Sequence, residues 1–107
     1  MTYYAVTRCA GPAWTEGRGA FEQPGVQDHA AFMNALADER FLLFAGPLDG
    51  TEQDRIRALL IVHADDATEI EARLASDPWT VSGHLQLSTI EPWNLIVGGD
   101  RLASLAR

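Results

Sequence analysis

At 107 residues the chain is long enough for one modest core, and we read residues 1–107 as a single domain. Fifteen Asp or Glu stand against eight Arg, with no lysine, which disfavours nucleic acid or an acidic membrane surface as a partner. A lone cysteine, Cys9, excludes an intrachain disulfide; no close Cys or His spacing marks a metal site, and no basic-then-apolar leader or membrane-length run occurs, so the expectation is a cytoplasmic protein with no metal and no cofactor.

Residues 2–9, TYYAVTRC, are rich in Tyr, Val and Thr and stop at Ala10-Gly11-Pro12, which predicts a strand. The glycine- and proline-rich stretch 11–25 is longer than most connections in compact domains and reads as a candidate lid. A helix is expected over Val26–Asp38, with Asp28 in its first turn, where the helix dipole favours a carboxylate. Along it His29, Phe32, Met33 and Leu36 fall at i, i+3, i+4 and i+7, so a titratable ring heads an otherwise apolar stripe.

RFLLFAG at 40–46 reads as an apolar strand, PLDG at 47–50 as a tight turn, and RALLIVHA at 57–64 as a buried strand. A second helix starts at Asp66, whose side chain can cap it, with Glu69 placed to complete a capping box. It should end near Ser76, because Asp77 precedes Pro78 and a residue before proline is pushed out of helical geometry. A last strand is expected from about His84 to Ile90, interrupted by Pro92-Trp93; NLIVGG at 94–99 reads as a short added strand and RLASLAR as a frayed terminal turn. The order βαββαβ predicts an α+β, ferredoxin-like antiparallel sheet with two helices on one face.

Following chain direction through that topology brings four pieces of sequence to one end of the sheet: Arg8, His29, the Gly46-Pro47 turn and Asp77. His29 then faces the sheet within reach of the Asp77 carboxylate, an arrangement that fixes an imidazole tautomer for general acid or base work. The alternatives are a histidine satisfied by a backbone carbonyl and a carboxylate that ends a helix by bonding nearby amides. Arg8 is a candidate clamp for an anionic substrate, its alternative being a surface ion pair. Trp79, Trp14 and Phe44 are candidate aromatic walls for a pocket or, alternatively, core or dimer contacts. His63 and His84 lack the spacing of metal ligands, and Cys9 reads as a buried thiol that stays protonated rather than as a nucleophile.

Taken together, HAAFMNAL, FLLFAGPLDG, ALLIVHA and DPWTVSGHLQLSTIEPW resemble the YCII-related (YciI-like) proteins, a branch of the dimeric α/β-barrel superfamily. The corresponding positions are His29, Ala45-Gly46-Pro47, Asp77-Pro78 and Pro92-Trp93; the stretch 11–25 is longer than in many relatives. The resemblance implies a ferredoxin-like protomer that pairs its open sheet face with a second copy, and a pocket with a His and Asp pair as its active site. It also implies a small-molecule enzyme, with dehydrochlorinase-like lyase or isomerase chemistry, on a small cyclic or aromatic molecule. In that reading His29 and Asp77 are catalytic, and Arg8, Phe44, Gly46, Pro47 and Trp79 bind the substrate. The alternative is a non-catalytic dimeric module that binds a metabolite or stabilises a partner.

Overall fold

A computed structural model describes residues Met1–Arg107. Its strands are β1 (Thr2–Ala10), β2 (Leu42–Pro47), β3 (Arg57–Ala64) and β4 (Leu85–Pro92); its helices are α1 (Val26–Asp38), α2 (Ala67–Ala75), α3 (Pro78–Ser82) and α4 (Gly99–Leu105). The strands form one antiparallel sheet in the order β2-β3-β1-β4, the ferredoxin-like arrangement. No helix is long and apolar enough to cross a membrane.

Burial alternates along β1: Tyr4, Val6, Arg8 and Ala10 are buried while their neighbours are not, as a strand with one covered face requires. Tyr4 and Val6 pack with Leu60, Val62 and Ala64 of β3, and on the same side with Leu36 of α1 and Ile70 and Leu74 of α2. Both helices therefore cover one face. A second cluster, Ala10, Trp14, Ala20, Ile56, Trp79 and Leu85, caps the end of the sheet where β1 finishes.

Two bulges interrupt the ladders. Between β1 and β4 the register slips after Thr7, leaving Ser88 as the extra residue beside Arg8. Between β2 and β3, Leu42 pairs with Val62 but Phe44 pairs with Ile61, so Leu43 is extra. That slip turns Phe44 onto the open face of the sheet and aims Ala45 and Pro47 at the covered one.

The second helix is capped as its sequence implies: Asp66 accepts from the Glu69 N–H at 2.8 Å, while the Glu69 carboxylate accepts from the N–H of Asp65. The stretch 11–25 is not a loose lid. Gln23, only 2% exposed, accepts from the Thr15 N–H (2.8 Å) and donates to the carbonyls of Thr15 (3.1 Å) and Arg18 (3.0 Å), and Trp14 donates to the Asp54 carbonyl.

Three expectations are corrected near the C-terminus. Pro92 does not interrupt β4; it ends the strand, where an edge position needs no N–H. Residues 94–97 are not a strand, because the last ladder bond, from Trp93 N–H to the Tyr3 carbonyl, already lies at the start of β1 and nothing remains to pair with. Residues 99–105 are helical, entered through Gly98 at φ +80°.

Candidate active site

Asp77 decides the local chain path before it has any chemical role. Pro78 forbids continuation of α2, and the Asp77 carboxylate accepts the Trp79 N–H at 2.9 Å, starting α3 with proline at its first position. The same carboxylate, fully buried, accepts a hydrogen bond from His29 Nδ1 (2.8 and 2.9 Å to its two oxygens) and from Arg8 Nη1 (2.8 Å). One buried carboxylate thus both caps α3 and holds the His29 ring.

Burial alone would raise the Asp77 carboxyl. The hydrogen bonds from His29, the Trp79 N–H and Arg8, with the charge of His29, outweigh it and hold the group below its usual 3.8. An ionised Asp77 takes the proton on Nδ1, so a neutral His29 keeps its lone pair on Nε2. The ring is held flat against the Trp79 indole, with centroids 4.1 Å apart and planes 10° from parallel. The indole N–H is in turn anchored on the Pro24 carbonyl at 2.8 Å, just before α1 begins.

His29 opens onto a cavity of about 180 Å³ between the two core clusters. Arg8, Gly46 and Pro47 line it with His29, and Met33, Ala58, Leu60 and Leu85 make its walls apolar. Four of the residues expected to converge do so, together with Asp77 behind His29. Trp79 stands behind the histidine rather than on the wall, and Phe44, 52% exposed, lies on the open sheet face because of the Leu43 bulge. Trp14 is buried edge-on to Trp79 and is core.

Arg8 is neither a free clamp nor a surface ion pair. It is 2% exposed, with Nη1 on Asp77, Nη2 on Thr80 Oγ1 at 2.6 Å and Nε covered without a partner. A buried arginine is retained in such a place when its fork is occupied, and the sequence offered no sign that its partners would be Asp77 and Thr80. His63 stacks on Tyr3 on the open face, and His84 bonds Ser82 at 2.7 Å, so neither joins His29; no three His, Cys, Asp or Glu side chains come together to hold a metal.

The model of the YCII-related domain matches residues 4–94. The chain belongs to the YCII-related family. Among solved structures, this family member is similar to 5-chloro-2-hydroxyhydroquinone dehydrochlorinase (TftG) of Burkholderia phenoliruptrix AC1100, determined in complex with 2,5-dihydroxybenzoquinone. The two are 21% identical, with a TM-score of 0.61 over 86% of this chain and 93% of that one. An uncharacterised protein of Thermotoga maritima, TM1266, matches at 12% identity and a TM-score of 0.49 over 87% of this chain and 98% of that one. At these identities the likeness is one of fold. No curated protein matches the chain.

Proposed function

We propose that this YCII-related protein is a cofactor-free lyase or isomerase that moves a proton on a small cyclic or aromatic molecule. The observation that carries the reading is His29: Nδ1 is bound by a buried carboxylate, and the ring lines an apolar cavity. Nε2 would take a proton from a phenol hydroxyl or from a carbon next to a carbonyl, and Asp77 would stabilise the imidazolium that forms. Arg8 acts through Asp77, keeping it ionised. The dehydrochlorinase in the same fold class, complexed with a dihydroxybenzoquinone, supports a ring compound as the occupant.

A homodimer completes this reading. The open sheet face carries Phe44 and the stacked pair Tyr3 and His63, apolar surface that a second copy would cover. Sedimentation at low and high protein concentration tests it. The single domain over residues 1–107 and a cytoplasmic location belong to the same proposal, the latter resting on a lone thiol.

The test of the chemistry is the pH titration of the His29 ring by NMR in the native protein and in Asp77→Asn, alongside turnover of 5-chloro-2-hydroxyhydroquinone. The expected result is a His29 ring whose NMR signals respond when the carboxylate is neutralised, with turnover lost in His29→Gln. A ligand that binds with no turnover, at a His29 insensitive to Asp77, would replace the enzyme with a non-catalytic binding module.

A further inference from the structure

The fixed charges around the cavity sum to zero, and the one cation among them is already paired and almost wholly buried. Arg8 and Asp77 neutralise one another at 2.8 Å, both at most 2% exposed. The terminal nitrogens of Arg8 are held by Asp77 and Thr80, and Nε, the nitrogen without a partner, is covered by protein and out of a ligand's reach. Arg8 lines the cavity but is only 2% exposed, so little of its guanidinium faces an occupant. What remains exposed to an occupant is His29, 18% exposed, and a wall of Met33, Ala45, Pro47, Ile56 and Leu60.

The other groups near His29 do not alter that sum. Asp28 on α1 is exposed, Glu22 before α1 is exposed and faces Arg18 at 3.8 Å, and β2 brings only Ala45, Gly46 and Pro47 to the cavity. His84, at the start of β4, lies on Trp79 with ring centroids 6.2 Å apart and bonds Ser82, so it offers nothing to an occupant.

From this balance we infer that the cavity selects its occupant by charge: it takes a one-ring molecule that enters uncharged and carries its own acidic proton, and it rejects the carboxylate of the same size. The inference rests on the proposed site and names its substrate class. A cavity of roughly 150 Å³ already admits benzene, so about 180 Å³ suits one substituted ring. A phenol that passes its O–H proton to Nε2 becomes a phenolate beside an imidazolium. The O–H bond breaks, the N–H bond forms, and the cavity stays neutral throughout. A carboxylate has to leave water for apolar walls with no donor waiting, unless one proton enters with it and sits on His29.

The probes are phenol and benzoate, titrated by NMR at about pH 6 and about pH 8.5, below the roughly 10 at which a phenol ionises. Phenol is expected to bind with an affinity that changes less than about twofold between the two pH values. Benzoate is expected to bind about tenfold or more weakly at the higher pH than at the lower, because its binding takes up a proton. In Asp77→Asn, where Arg8 keeps its charge and loses its partner, the preference should swing toward benzoate by tenfold or more. Equal affinity of the two probes at the higher pH, or a benzoate affinity indifferent to pH, overturns the inference. So does failure of both to bind, which removes the one-ring occupant; whether His29 and Asp77 are coupled is decided separately by the ring titration.

Discussion

Trp79 lies flat against His29, 4.1 Å between ring centroids, and shares none of the cavity wall with it. The indole is a support for the imidazole rather than a surface for substrate, and the reason is where it is fastened: its peptide N–H on Asp77 and its indole N–H on Pro24. Replacement by Phe keeps a ring under His29 but leaves the Pro24 carbonyl unpaired, at about 1–2 kcal/mol. Replacement by Leu removes the stack as well and should cost about 3 kcal/mol. Urea unfolding measures both losses. The His29 ring signals distinguish the roles, since they should broaden or move in Trp79→Leu and stay near their native positions in Trp79→Phe.

Arg8 should matter more to stability than an ordinary surface arginine. Truncation to Met leaves the Asp77 carboxylate buried without its cation and should cost about 3–5 kcal/mol, the range for breaking one partner out of a buried pair. Lysine restores the charge but has no planar fork to span Asp77 and Thr80, so Arg8→Lys is expected to recover only part of the loss. Denaturant titrations of the two variants provide the comparison.

Acid sensitivity follows from the sign of the Asp77 shift. A carboxyl that ionises more readily in the folded chain than in the unfolded one contributes stability above its unfolded value, near 3.9, and loses it as pH falls through the lower folded value. Native protein should therefore lose stability steeply below about pH 4. Asp77→Asn should start less stable at about pH 6 and show a flatter acid limb. Thermal unfolding across that pH range reads the difference; parallel curves for the two proteins would remove Asp77 as the source.

Gln23 pins the long connection between β1 and α1 with three hydrogen bonds from one buried amide. In Gln23→Ala the Thr15 N–H and the Thr15 and Arg18 carbonyls lose their partner, for an expected cost of about 1–3 kcal/mol. Hydrogen exchange should accelerate at Thr15 by tenfold or more, with little change at the β1–β3 ladder.

Most of the architecture was legible because it depends on periods and stop signals that a single strand of sequence displays. The Tyr-, Val- and Thr-rich stretch 2–9 with its stop signal, the 3.6-residue stripe headed by His29 and the Asp77-Pro78 break each correspond to an observed element, and chain direction alone brings His29, Asp77, Arg8 and Gly46 to the same end. The failures have three causes. Phe44 was misplaced because one extra residue, Leu43, reverses every side chain beyond it, and nothing in an apolar run such as FLLFAG says where a bulge falls. Gln23 and Thr80 were not singled out because their roles come from partners far along the chain or from a fold-back of a loop, which no local pattern records. The five-residue α3 was missed for its length, although Asp-Pro followed by Trp is what an N-capped first turn looks like.

The residue that stops α2 and starts α3 is also the one that holds the histidine. A chain in which that corner has not yet folded has no carboxylate in place to hold the His29 ring. Under the proposed chemistry, assembly of the His29–Asp77 pair is a folding event rather than a later adjustment, and a proton-transfer assay would double as a count of the molecules whose Asp77 corner is native.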